Sequence, residues 1–367
     1  MKLECLKDKL NEIIYKAEKM TGKNPTLPVL SSILIEAKNN SLLVKATNLD
    51  LGIEMEIPAK VYKTGKCAVP ASVFSSFISS FQDEKNISLE LENNVLVVSI
   101  GKATAKINTV PYDDFPIIPK LSKESATPLD PQSFVKGLRS VWYSASPSSI
   151  KPEISSVYIY RDGNDSIVFV ATDSFRLAEK RIKIKKIKDF ESVLIPFKNV
   201  PEIIRVLESN TKDVFISSEN GQIAFFLESA YLVSRIIDGT FPDYQQIIPK
   251  ESKTEVIVLK QDILNTLKTA HVFSDSFNQI NLNISSGKKR FEIKTKNSAV
   301  GESENNLDAV FRGEDLVINF NYKYIFDCFQ SIDSDSVSLS FNGLSKPLVI
   351  QGVSDKTFLY LVMPMNK

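Results

Sequence analysis

Histidine is almost missing, since His271 is the only one in 367 residues. A multi-histidine zinc site, an HExxH helix and most acid–base triads each need imidazole at a defined place, so those chemistries are excluded at the outset. Cysteine is scarce as well: Cys5, Cys67 and Cys328 are odd in number and far apart. That pattern fits neither a disulfide framework nor a CxxC centre and predicts buried small hydrophobes in a reducing compartment. A surplus of charge of either sign is lacking, because 45 Lys and Arg face 44 Asp and Glu, a formal charge of +1. No global field draws the chain onto nucleic acid or anionic lipid, so any nucleic-acid site must be a local patch. Long apolar runs are absent too. The uncharged stretch from Cys67 to Gln82 is broken by serines and falls short of the roughly 18 apolar residues of a membrane span. The opening MKLECLKDKL alternates charge with apolar residues, unlike a signal peptide, and the expected location is the cytoplasm, with no membrane partner.

Catalytic signatures are equally thin. No GxxxxGK[ST] phosphate loop, GxGxxG fingerprint or GxSxG elbow occurs. Lys63-Thr64-Gly65 and Ser133-x-x-Lys136 match the motifs of penicilloyl-serine enzymes, whose lysine eases deprotonation of the serine, but they stand in the reverse chain order. A serine-dependent hydrolase using Ser133 and Lys136 is therefore the alternative from the enzyme class. Asp333-Ser334-Asp335 lacks the glycine and terminal glutamate of a calcium loop and predicts a turn. His271 sits at the edge of an apolar stripe and reads as a packed histidine. No cofactor, metal or catalytic residue is expected.

What the chain does have is repetition. Ala46-Thr47 recurs as Ala171-Thr172, a step of 125; Val69-Pro70 recurs as Ile195-Pro196 and Phe115-Pro116 as Phe241-Pro242, each a step of 126. A third unit is expected to open its helix at Ile318, with its motifs drifted further and the Ala-Thr signature lost at Lys294 to Asn297. Three similar domains then account for the whole length: 1–120, 121–249 and 250–367, each ending near a proline. Leu6, Leu10, Ile13, Ile14 and Ala17 form an apolar helical stripe, matched by Phe134, Leu138, Val141, Trp142 and Ala145. Second helices are predicted over 73–81, 200–207 and around Tyr322, Ile325, Phe326 and Phe329. Alternating runs at 87–100, 214–227 and 337–350, interrupted by Asn-Asn and Asn-Gly turns, predict hairpins. The fold class is α+β, three tandem domains each with two helices packed on largely antiparallel sheets.

Helix surfaces carry the remaining signals. Lys9, Lys16 and Lys23 recur every seven residues, Lys136 and Arg139 face away from the core of the matching helix, and Lys198, Arg205, Lys268 and Lys323 add scattered positive charge. These faces can touch phosphate. Val73, Phe74, Phe77, Ile78 and Phe81 cover more of a helix than one core requires, with Ser75, Ser76, Ser79 and Ser80 as the polar remainder, so an interface is expected. Val272 and Phe273 are the natural counterpart, in another copy.

The stretches TLPVLSSILIEA (26–37), ATNLDLGIE (46–54), ATDSFRLA (171–178), GTFPDYQQIIP (239–249) and LYLVMPMNK (359–367) resemble the bacterial DNA polymerase III beta subunit family, the β sliding clamps. The resemblance covers all three units. It implies a head-to-tail dimeric ring lined by helices that encircles duplex DNA and tethers the replicative polymerase without chemistry of its own. The basic residues named above would face DNA, with Lys23 standing in for the basic residue that Asn24 replaces. Val73, Phe77, Phe81 and Ile107 would meet Val272 and Phe273 across the homodimer contact. The DNA polymerase III alpha subunit, the clamp loader and other clamp-motif proteins would insert a short peptide, glutamine first and apolar residues behind it. Its pocket would be made by Ile154, Thr172, Ser174, Phe175, Arg176, Leu177, Pro242, Gln246, Ile247, Pro347, Leu361, Val362, Met363, Pro364 and Met365. Arg176 would fix polar ends of the peptide by hydrogen bonds. Gln246 departs from the usual basic residue. A monomeric interaction scaffold built on the same repeats is the further alternative.

Overall fold

Residues 1–22, 27–124, 126–184, 190–212 and 214–365 are described by a computed structural model. Among them are six α-helices: α1 (Lys7–Lys19), α2 (Ala71–Ser79), α3 (Pro131–Val141), α4 (Val200–Glu208), α5 (Lys260–His271) and α6 (Tyr322–Cys328). Each covers antiparallel sheet. The described residues fall into two compact units, one holding residues 1–132 and 198–236, the other 133–184, 192–197 and 237–365. No helix among them is long and apolar enough to cross a membrane.

In the first unit, a five-stranded sheet runs Lys60–Lys63, Lys2–Leu6, Asn86–Glu92, Val95–Ile100, Ala103–Asn108. A second, eight-stranded sheet joins strands of two repeats, because Ala230–Arg235 pairs antiparallel with Leu51–Pro58 in the register Leu232 to Ile53. The helix α1 closes over this unit with Leu10, Ile13, Ile14 and Ala17 buried at spacing that puts them on one face. Leu6 does not belong to that stripe. It ends the first strand with extended backbone and is 57% exposed, so the helix begins one residue later than the spacing implies. Ser75 also departs from expectation: it is buried on α2 beside Phe74 and Ile78. Cys5, Cys67 and Cys328 are free and buried.

The second unit repeats the plan. Nine strands pair across the next repeat junction, Arg176–Lys183 against Phe358–Val362 in the register Leu177 to Leu361, and a four-stranded sheet ends on Gly301–Leu307. On α3 the buried Phe134 meets Phe169 edge-to-face at 5.2 Å. Gly137 is required there, since a Cβ would stand 2.4 Å from the Phe169 ring. Trp142 and Ala145 lie beyond α3, Trp142 opening a 3-10 turn to Ser144. Ile318 is a strand residue; its strand, Leu316–Asn321, leads into α6, where the Asn321 side chain accepts from the Lys323 and Tyr324 amides and sets the helix start. His271 is exposed rather than packed, its ring tilted against Tyr322 at 4.7 Å.

The repeat has a local cause. Thr47 Oγ1 donates to Leu51 O and accepts from Leu49 N, while Asn48 Oδ1 accepts from the amides of Asp50 and Leu51. Thr172 and Asp173 do the same for Arg176 O, Ser174 N and the amides of Phe175 and Arg176. Leu49 and Ser174 take the same left-handed backbone, φ 77° and 78°. Thr and Asx at these positions write the turn in both repeats. In the third, Asn297 Oδ1 accepts from Ala299 N, and the three residues between the paired Asn297 and Gly301 are one fewer than between Thr172 and Leu177.

Candidate functional site

The second repeat junction assembles most of the expected pocket. Pairing of Arg176 with Val362 and of Leu177 with Leu361 sets the two motif strands side by side, and Met363 N donates to Phe175 O at 2.8 Å. Leu177 and Leu361 are buried in one core with Val168, Val170, Leu194, Phe241 and Tyr244. Val362, Thr172 and Pro347 are buried as well. Three large apolar side chains beside this core are exposed, Phe175 at 60%, Ile247 at 51% and Met363 at 37%, and Pro242, Ser174 and Gln246 are exposed too. Pro364 and Met365 are half-buried, and Met365 N donates to Asn319 O, which anchors the terminal segment. Ile154 is half-buried, and its carbonyl accepts from Ser146 N. The Gln246 amide is turned onto Asp243 at 2.7 Å.

Arg176 is held by its own chain. Its Nε donates to Asp173 Oδ2 at 3.0 Å, Nη1 to Asp327 Oδ2 at 2.6 Å and Nη2 to Tyr143 O at 2.7 Å, and the guanidinium lies 4.7 Å from the Tyr324 ring centre. A guanidinium this buried needs partners within the chain, and these three hydrogen bonds face inward. Burial works against its charge, but Tyr360, Asp327 and Asp173 outweigh that and hold it protonated. Asp327 and Tyr324 were invisible as site residues, because nothing local links them to a motif lying up to 151 positions away. Asp173 could have been found from its turn. Beside the same core, Tyr244 donates to Glu179 at 2.6 Å, and burial raises both groups.

Several of the basic residues are engaged within the chain. Lys16 binds Glu12 at 2.7 Å and Ser209, Lys198 binds Asp50 at 2.5 Å, Arg205 binds Glu202 and Tyr15, and Lys136 binds Asp333 at 2.5 Å. Lys9, Arg139, Lys268 and Lys323 are exposed; Lys23 lies outside the described residues. Tyr15, Lys16, Arg205 and Ser209 bring α1 and α4 together in the first unit.

Of the residues read as a contact between copies, Val73 and Val272 are 52% and 63% exposed, Phe77 and Phe81 are half-buried and edge-to-face, and Phe273 is half-buried. Ile107, on the outer strand Ala103–Asn108, is 5% exposed.

Family models for the DNA polymerase III beta subunit match in chain order: the N-terminal domain over 1–119, the central domain over 128–243 and the C-terminal domain over 245–366. The chain belongs to the β sliding clamp family. The beta sliding clamps of Synechococcus elongatus and Bacillus subtilis are each 26% identical to it, covering 100% of this chain and 99% and 100% of theirs. The crystal structure of the DNA polymerase III beta subunit from Thermotoga maritima superposes with a TM-score of 0.93 at 25% identity, covering 100% of this chain and 99% of the other. The sliding clamp from Bacillus subtilis gives the same figures. Its fold is accordingly the three-domain clamp fold. A sliding clamp is a processivity factor of DNA replication and not an enzyme, and this chain is one.

Proposed function

We propose that two copies of this clamp close head to tail around duplex DNA in the cytoplasm, with domains 1–120, 121–249 and 250–367, and tether the polymerase III alpha subunit, the clamp loader and other clamp-motif proteins through the junction at Phe175 and Met363. The observation that carries the mode of DNA retention is charge. Four of the candidate DNA-facing residues, Lys16, Lys136, Lys198 and Arg205, are already paired with carboxylates of their own chain. Such faces attract phosphate weakly and without sequence preference, which permits sliding, so the hold on DNA must come from topology. Two outer strands, Ala103–Asn108 in the first unit and Gly301–Leu307 in the second, present unpaired edges near the exposed Val73 and Val272 sets, and a heterologous contact between them closes after two copies.

The peptide reading rests on the apolar rim over Leu177 and Leu361. Flexible methionine and aliphatic side chains there can repack around different partners. Sedimentation at micromolar concentration tests the ring: a dimer is expected, and a species of one 41.1 kDa subunit would leave only the monomeric scaffold.

A further inference from the structure

The inward grip of Arg176 reaches helix α6. The buried residues Tyr322, Ile325 and Cys328 fix that helix on the core, which leaves Tyr324 and Asp327, three apart, on one flank. From there Asp327 takes the Arg176 Nη1 and Tyr324 stacks on its guanidinium, while Tyr143 O takes Nη2. The residue next to Arg176 is Phe175, whose carbonyl holds Met363 N, so the two exposed apolar side chains of the rim hang from the turn that Arg176 anchors.

We propose that Asp327 is a positioning residue of the peptide site: without touching a peptide, it holds Arg176 and thereby the Thr172–Arg176 turn in the shape that presents Phe175 and Met363. This rests on the peptide reading above. Ser174 occupies left-handed backbone at φ 78°, as Leu49 does at φ 77° in the first junction, where Leu51 stands in the place of Arg176; the Thr and Asx hydrogen bonds write the turn, and what Arg176 adds is its attachment to α6. Loss of Asp327 would leave the guanidinium with a buried donor unpaired, and the turn is the movable part that can relax to solvate it.

The test is calorimetric titration of the full-length protein with a glutamine-led apolar peptide, for the wild type, Asp327→Ala, Asp327→Asn, Asp327→Glu and Asp333→Asn. Asp333 pairs with Lys136 in the same unit and does not meet Arg176, so it controls for general loosening. Asp327→Ala is expected to weaken binding about tenfold, Asp327→Asn about threefold, and Asp327→Glu to regain most of the loss. Asp333→Asn should bind as the wild type does. Trp142, the only tryptophan, precedes Tyr143, so its emission should shift in unliganded Asp327→Ala and not in Asp333→Asn. A wild type that fails to bind the peptide removes the peptide reading itself. A wild type that binds, with Asp327→Ala equal to it or with Asp333→Asn weakened alike, overturns the positioning role.

Discussion

Two repeat junctions share one backbone and differ in what hangs from it. At the first, the turn after Thr47 leads into Leu51 and Gly52, which pair with Ser234 and Val233, and Arg235 N donates to Asp50 O at 2.8 Å. At the second, the turn after Thr172 leads into Arg176 and Leu177, which pair with Val362 and Leu361, and Met363 N donates to Phe175 O at the same distance. Asp50 and Arg235 thus stand where the second junction has Phe175 and Met363. Gly52 stands where it has Leu177, and the space a side chain would take there is filled by Ile118 from the chain's own connection, 2.9 Å from the position of a Cβ. The first junction is charged and sealed; the second is apolar and open. The shared turn supplies the frame, and a handful of side chains set the surface of each junction.

Exchanging those side chains should break the comparison. Phe175→Asp with Met363→Arg gives the second junction the chemistry of the first, and loss of two apolar anchors is expected to weaken a glutamine-led peptide by about 3 kcal/mol or more, roughly a hundredfold, in calorimetry. Met363→Ala with Leu177→Ala should likewise abolish binding while sedimentation still reports a dimer. The converse exchange, Gly52→Leu, forces a side chain into Ile118 and should cost about 1–3 kcal/mol in urea unfolding, with part of the loss returned by adding Ile118→Ala. Thr47→Val and Thr172→Val each strip two hydrogen bonds from a buried turn, so both should cost about 1–2 kcal/mol, but only Thr172→Val should also weaken the peptide. A Thr47→Val effect on peptide binding would contradict the separation of the two junctions.

The smallest effect concerns charge. The hydrogen bond from Lys136 is the main cause holding the Asp333 carboxyl below its ordinary value near 3.8. A carboxylate depressed in the folded state stabilises above its unfolded value and loses that contribution as pH falls through the folded one. Asp333→Asn should therefore cost about 0.5 kcal/mol at pH 7, the pair being exposed, and progressively less as pH falls below about 4. Unfolding of both proteins across that range checks the sign.

Local chemistry explains which parts of this fold were legible in the sequence. The turns were visible as repeats because Thr47 with Asn48 and Thr172 with Asp173 dictate the same backbone wherever they occur. Hairpins were visible from Asn93-Asn94 and Asn220-Gly221, whose positive φ values suit tight turns between the paired strands. Ile318 was misread because a short apolar strand running into a helix has no period that separates the two. Trp142 and Leu6 fell on helical spacing while lying just outside their helices. What joins strands of different repeats, and what binds Lys198 to Asp50 or Arg176 to Asp327, depends on chain closure over more than a hundred residues, which no spacing encodes. Resemblance pointed to the residues of the second junction, whereas the inward use of Arg176 emerged only from its contacts.

Retention on DNA tests the central claim of topological hold most directly. The clamp, loaded onto nicked circular plasmid and onto the same plasmid linearised, is followed by gel filtration as salt is raised. The account predicts that it stays on circles at salt that abolishes ionic contacts and runs off linear ends at any salt. Equal loss from both forms with rising salt would mean that the lysines, and not an enclosing ring, hold the DNA.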